Sequence, residues 1–463
     1  MDFLQPEGPS TPGSPGQSPG PPGERSGPPG ERSGPPGEGP GRSLAPEVVA
    51  DLVRRVEDAA SAAARPYPGD RGGRQPVHTV YVAADRFTAG TAAAWGTEAR
   101  RLLAAHAPDG DALAAGMGLA DRALAAEVRE RVDAKLAAEP VEDLRIDFED
   151  GYGVRGDAEE DQAAVAAAGQ VAEAMAAGTL PPFVGLRVKS FWDGLHHRSI
   201  RTLDAFLTGL LDRTQGRLPA GFVVTFPKVM TPDHVAAFAE LLGRLEAALG
   251  LPAGALRFEV QVETTQSVVG QVGEVALRRI AEAGGPALCG AHFGVYDYTA
   301  ACGLPPAEQR LDHPACDFAR HVMQVALAGT GIRLSDGSTN VVPAGDDTAS
   351  VHAAWRHHAG TVRHSLRHGF WQGWDMHPAH LPSRFATVYA FHLAGLDEVT
   401  GRVHAFVEAS RGGGAGGAPA GVLDEPATVR ALVARVRRAV HCGALTAADA
   451  GARTGLDAEA LSV

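Results

Sequence analysis

Two short stretches of the chain carry residues suited to holding a divalent cation. Arg257-Phe-Glu-Val-Gln-Val-Glu263 and Cys289-Gly-Ala-His-Phe-Gly-Val-Tyr-Asp297 are apolar runs with period-two character, each ending on a carboxylate and separated by one helix-length segment. Two hard oxygen ligands, completed by waters and a chelating substrate, suit Mg²⁺ or Mn²⁺, which prefer octahedral oxygen coordination and keep open positions. Glu263 and Asp297 are therefore the candidate metal ligands. Taken singly, either carboxylate reads as a solvated loop charge or a helix N-cap; their placement at consecutive strand ends favours the metal.

Other residues could complete a catalytic site around that pair. Arg187, in Gly-Leu-Arg-Val-Lys-Ser, lies inside a strand-like run, where a guanidinium is costly unless paired. It is expected to face an acidic cluster or an anionic substrate, with a purely structural salt bridge to Glu149 or Asp150 as the alternative. Asp147-Phe-Glu149-Asp150 places three carboxylates on four positions; crowding raises their proton affinity, which a general acid or base can use. Lys228, in Thr-Phe-Pro-Lys-Val, and Arg86 are candidate substrate-binding cations. A desolvated Lys228 could also form a Schiff base with a keto substrate. Seven histidines fall between His352 and His380, including the helical pair His364 and His368. No Glu sits between that pair in a metalloprotease pattern and Arg363 and Arg367 flank it, so it reads as a solvated helix face.

These residues are held by a regular alternation of strand-like and helix-like segments, which implies parallel strands joined by crossover helices. The strand candidates are Val77–Ala83, Leu144–Phe148, Phe183–Val188, Phe222–Phe226, Leu256–Val262, Ala287–Phe293, Gly331–Leu334 and Phe370–Trp374. Between them lie runs with apolar residues at three- and four-residue spacing, such as Asp233 to Leu249. Eight such units predict a (β/α)8 TIM barrel of the α/β class over residues 44–395. Charged residues follow every strand: Asp85-Arg86, Glu149-Asp150, Lys189, Lys228, Glu263, Asp297, Asp336, and Asp375 with His377. In such barrels the C-terminal strand ends form the catalytic face.

The order of Ile-Asp-Phe-Glu-Asp, Gly-Leu-Arg187-Val, Phe-Pro-Lys228-Val, Val-Glu263-Thr, Phe293-Gly-x-x-Asp297, Ser335-Asp336-Gly, Gly369-Phe and Gly373-x-x-x-His377-Pro378 resembles the HpcH/HpaI aldolase and citrate lyase beta-subunit superfamily, over roughly Val77 to Ala394. The resemblance implies Mg²⁺ on Glu263 and Asp297 and Arg187 facing a substrate carboxylate or keto oxygen. It also implies cleavage or formation of a carbon–carbon bond next to a carbonyl, through an enolate. Asp150 stands where the aldolase branch has a His, so the Glu-Asp pair is similar to the citrate lyase and malyl-CoA lyase branch. Departures from that branch are Gly151-Tyr152 after the acidic pair, Thr264-Thr-Gln-Ser after Glu263, and His292 and Tyr298 around the second carboxylate.

The ends of the chain differ from the middle. Residues 1–43 are rich in Pro, Gly and Ser, with Gly-Pro-Pro-Gly-Glu-Arg-Ser at 20–26 repeated at 27–33; the seven-residue period breaks the collagen rule and predicts a disordered tail. Residues 396–463 predict a helical extension interrupted by a Gly-rich linker from Gly412. The net charge of −13 argues against nucleic acid as a partner, and the four cysteines form no C-x-x-C motif. No window approaches a membrane span. The expectation is a cytoplasmic homo-oligomer acting on a 2-keto or 3-hydroxy acid or its CoA thioester, with Glu149, Asp150 and Arg187 in catalytic roles. The alternative is a catalytically silent keto-acid-binding barrel serving as sensor or scaffold.

Overall fold

The computed structural model of the chain describes residues 43–70, 72–411 and 426–462, so the expected disordered tail and most of the Gly-rich linker lie outside the described residues. The chain divides into two units, Met1–Ala62 and Ala63–Val463. The described part of the first is essentially one helix, Pro46–Ala64, whose last two residues belong to the second.

The second unit is built on eight parallel strands: β1 (His78–Ala83), β2 (Asp143–Asp147), β3 (Phe183–Arg187), β4 (Phe222–Phe226), β5 (Arg257–Val262), β6 (Leu288–Phe293), β7 (Arg333–Ser335) and β8 (Gly373–Asp375). Neighbours follow chain order from β1 to β7, and β8 pairs with β1. A bridge between Ser335 and Gln372 joins β7 to the start of β8, and the Asp336 N–H donates to the Gln372 carbonyl at 2.8 Å. The sheet is thereby closed into the expected (β/α)8 barrel, which leaves no long unpaired edge.

The crossover helices form because their apolar spacing and caps agree. In Pro232–Ala248, Thr231 caps the helix by accepting from the His234 N–H at 3.3 Å, and Pro232 opens the first turn. Val235, Phe238, Leu242 and Leu245 recur at three- and four-residue intervals and are buried. Phe238 stacks on Phe226 at 4.4 Å and meets Phe258 edge-on at 5.3 Å, which fixes the helix across β4 and β5.

The barrel interior is more polar than its apolar strands imply. Arg145 ion-pairs with Asp143 and, at 3.0 Å, with Glu259, and its Nε also donates to Thr225 at 3.0 Å. The Trp374 indole N–H can only donate, and it points at His292 Nδ1 at 3.1 Å. The His292 proton therefore resides on Nε2, which donates to Glu259 at 2.9 Å. These residues line the lower barrel with compensated charge and leave the mouth to a separate set.

The C-terminal helices, Leu396–Arg411, Pro426–His441, Ala447–Thr454 and Ala458–Ser462, extend the same unit. Tyr389 Oη donates to the Cys442 carbonyl at 3.0 Å, Arg131 to Ala444 at 2.9 Å and Arg435 to Ala394 at 2.7 Å. The extension is thus tied to the helices of its own barrel. Among the described residues no helix is long and apolar enough to cross a membrane.

Two buried histidines make this packing acid-sensitive. His392 lies against Trp371 with ring centroids 5.9 Å apart, and burial, reinforced by Arg435 and Arg438, pulls its imidazole down to about 3. Burial likewise pulls His358 down to about 3, with His380 adding to it and Asp375 opposing. The unfolded chain binds these protons near pH 6.5 and the folded chain does not, so stability is fully present above that pH and is lost as pH falls below it. Each group contributes a slope of up to about 1.4 kcal/mol per pH unit. Thermal melts from pH 8 to pH 4.5 are expected to show His392→Phe losing less stability on acidification than the wild type.

Candidate active site

The C-terminal ends of β2 to β6 converge on one acidic bowl. At the end of β2, Asp147 turns back on its own loop: its carboxylate accepts from the Glu149 N–H at 2.9 Å and the Gly151 N–H at 2.8 Å. A Cβ at Gly151 would lie 2.5 Å from Asp147 Oδ2, so glycine is needed there. The same carboxylate grips the guanidinium of Arg187, its registered neighbour on β3, through Nε at 2.7 Å and Nη2 at 2.6 Å. Arg187 Nη1 is left, 3.2 Å from Glu149 Oε2. The arginine is buried, lies over the Tyr81 ring at 4.9 Å, and is held well above its ordinary pKa: burial opposes the charge, but Asp147 and Glu149 outweigh it.

Lys228 follows β4 with a left-handed backbone, φ 49°, costly for a residue with a Cβ. That turn delivers its N–H to Glu263 Oε1 at 2.7 Å. Its ammonium pairs with Glu149, lies 3.0 Å from Asp150 Oδ2 and 4.0 Å from Asp297 Oδ2. Burial pulls the amine down, but Glu263, Glu149 and Asp150 together raise it, so it stays charged. A Schiff-base lysine needs a free amine at working pH, and this environment disfavours one.

Glu263, at the end of β5, is buried, and burial pushes its carboxyl up to about 8, with Lys228 opposing and Glu149 and Asp297 adding to the rise. Asp297 lies in the first turn of the helix Val295–Ala301 after β6 and is exposed. Gly294 lies between them, where a Cβ would overlap the Glu263 carboxylate. Thr264 caps the following turn and donates to the Val229 carbonyl at 2.6 Å, so it braces β5 against the loop after β4.

The bowl therefore gathers Asp147, Glu149, Asp150, Glu263 and Asp297 around two cations, Arg187 and Lys228. Negative charge is in excess, and the ammonium of Lys228 stands among the carboxylates. The oxygen-only donor set fits a hard divalent ion. Glu149 and Asp150 are split by their surroundings. Burial raises Glu149 against the pull of Arg187 and Lys228, whereas Lys228 and Glu149 hold Asp150 below its usual range despite its own burial cost. Such a split separates a proton carrier from a fixed charge.

Residues 56–463 match the family model described as "Domain of unknown function (DUF6986)". The chain belongs to the DUF6986 family. No curated protein matches it. Among solved structures, a citrate lyase from Burkholderia xenovorans LB400 is 18% identical, with 83% of this chain and 98% of that one covered at a TM-score of 0.54. The malate synthase of Haloferax volcanii, as its lead(II) complex, is 19% identical over 57% of this chain and 68% of its own, at a TM-score of 0.43. This DUF6986 chain and the citrate lyase share the barrel fold, as the sequence resemblance implied.

Of the residues singled out in the sequence, Glu149, Asp150, Arg187, Lys228, Glu263 and Asp297 come together. Arg86 does not join them; its side chain is exposed and takes part in none of these contacts. Three strand-end charges are engaged elsewhere, by the outer helices and, for Asp375, also by the start of β1. Lys189 pairs with Glu160 at 2.7 Å, Asp336 with Arg320 at 2.9 Å, and Asp375 with Arg384 at 2.8 Å and His78 at 2.7 Å. Two inward residues just below the mouth went unnoticed: Tyr81 Oη and Gln261 Nε2 are buried polar atoms without a hydrogen-bond partner in the described protein, and Arg187 Nη1 reaches Gln261 Oε1 only at 3.5 Å. Gln261 shares strand parity with Glu263, which was the available signal.

The close fit at Gly294 can be tested. Gly294→Ala is expected to cost about 1–3 kcal/mol by overpacking and to weaken binding of a divalent cation, while Gly243→Ala, inside the helix Pro232–Ala248 where the Cβ meets nothing within 4 Å, leaves cation binding unchanged and does not lower stability in denaturant melts and calorimetric titration.

Proposed function

We propose that this protein is a divalent-metal-dependent carbon–carbon lyase or aldolase, cleaving or forming a bond next to a carbonyl through an enolate. Its substrate class is a 2-keto or 3-hydroxy acid or the corresponding CoA thioester. The observation that carries this reading is the buried Glu263 beside the exposed Asp297 at consecutive strand ends, with carboxylates in excess around them. The fold shared with a protein described as a citrate lyase supports it.

Glu263 and Asp297 are the residues that would hold Mg²⁺ or Mn²⁺, which when bound supplies Lewis acidity toward a carbonyl oxygen. The protein's own groups do the rest. Arg187 has two nitrogens committed to Asp147, and Nη1, 3.2 Å from Glu149, is the one that would meet an enolate or carboxylate oxygen. Its charge is fixed in place before negative charge develops, so little reorganisation is needed as the substrate reacts. Glu149, with its raised proton affinity, is suited to move a proton, and Asp150 stays ionised to orient substrate or water. Lys228 pairs with both carboxylates and holds them in position. Tyr81 and Gln261 add a buried hydroxyl and amide below Arg187.

Exchange of the pyruvate methyl protons for deuterium, followed by NMR, reads enolate formation without knowledge of the second substrate. The wild type with Mg²⁺ is expected to accelerate exchange, and Glu263→Gln to lose at least ~100-fold of it together with metal affinity. Unchanged exchange and affinity in Glu263→Gln would remove the assignment. Pyruvate binding with no exchange in the wild type would point to the silent sensor or scaffold instead.

A further inference from the structure

A second constellation lies away from the barrel mouth, on two crossover helices, Pro314–Leu327 and Thr348–Arg367 with the residue that caps it, His368. The first helix offers Asp317 and, one turn on, His321; the second offers His364 and His368 at the same four-residue interval. Asp317 Oδ1 lies 2.8 Å from His364 Nε2 and 3.7 Å from His368 Nε2, and the ligand atoms of these three residues all fall within 4.8 Å of one another. The His321 ring is 5.6 Å from that of His368, centroid to centroid.

The hydrogen bonds orient these groups as a metal site does. His368 Nδ1 is 2.9 Å from the His364 carbonyl, which can only accept, so Nδ1 carries the proton and Nε2 turns its other face toward Asp317. A second nitrogen fixed by a backbone carbonyl is the usual outer support of a ligating histidine. Asp317 is the shared partner of Arg320, His364 and His368. Its Oδ1 takes the contacts from Arg320 and His364, and no hydrogen bond reaches Oδ2 among the described residues. The flanking Arg363 is turned aside, donating to the Met117 carbonyl at 3.0 Å. All three ligands are about one quarter exposed, leaving room for water or His321 to complete a tetrahedral set.

We propose that Asp317, His364 and His368, with His321 in reach as a fourth ligand, form a Zn²⁺-type site that clamps these two helices, separate from the hard-cation site at the mouth. Nitrogen donors select a borderline ion such as Zn²⁺ over Mg²⁺, so the two sites take different metals. The other group of this kind, the fully buried His358, Asp375 and His380, is not a comparable site, because Arg384 and His78 engage both oxygens of the Asp375 carboxylate, whereas only Oδ1 of Asp317 is engaged among the described residues.

The test is calorimetric Zn²⁺ titration of the full chain, with Co²⁺ absorption as a report of tetrahedral nitrogen ligation. The wild type and Glu263→Gln are both expected to bind one ion with tetrahedral Co²⁺ bands. Removing a ligand is expected to weaken binding by more than ~100-fold, since loss of an outer partner alone costs ~10–100-fold. His364→Gln with His368→Gln is the direct variant; Asp317→Asn serves if that pair fails to fold. Equal stoichiometry and affinity in wild type and ligand variants, or absence of tetrahedral Co²⁺ bands in the wild type, would overturn the proposal.

Discussion

The ion pair between Asp147 and Arg187 is the joint on which the mouth of the barrel depends. Two adjacent, registered strand ends each place a charge inside a closed barrel, and neither charge is tolerable alone. Their bidentate contact fixes the guanidinium, and the same carboxylate shapes the loop that carries Glu149 and Asp150. That loop in turn receives the ammonium of Lys228, whose backbone strain brings its N–H to Glu263. Geometry thus passes from strand to strand through charge compensation. The last member of the chain, Glu263, is the one with too little positive charge beside it.

This arrangement explains how one barrel keeps two kinds of polar interior. Lower down, Arg145 and His292 satisfy Asp143 and Glu259, and no buried polar side-chain atom of these four lacks a partner among the described residues. At the mouth, carboxylates outnumber cations, and buried polar atoms of Tyr81 and Gln261 have no hydrogen-bond partner among the described residues. A fully satisfied network rigidifies, whereas a partly satisfied one is where ligands act.

Much of this was legible in the sequence. The eight strands were readable because each is a short apolar run bounded by polar residues, and six of the seven candidate site residues meet in space. What could not be read was the facing of the last residue on each strand. Strand side chains alternate, so ending one residue earlier or later sends a charge to the mouth or to the helices. Asp336 and Asp375 looked like mouth residues, and they serve Arg320 and Arg384. The histidine pair on the helix Thr348–Arg367 and its cap was visible, but Asp317, 47 positions away from His364, could be brought beside it only by the fold.

The most direct measurement is a crystal structure of the protein soaked with Mn²⁺ and a small keto acid such as pyruvate. An anomalous peak bound by both Glu263 and Asp297, with the Lys228 ammonium moved off Asp297 but still paired with Glu149 and Asp150 and the keto acid beside Arg187, is the expected result. A mouth that holds no metal, with Lys228 still seated among Glu149, Asp150 and Asp297, would contradict a metal-dependent enolate site.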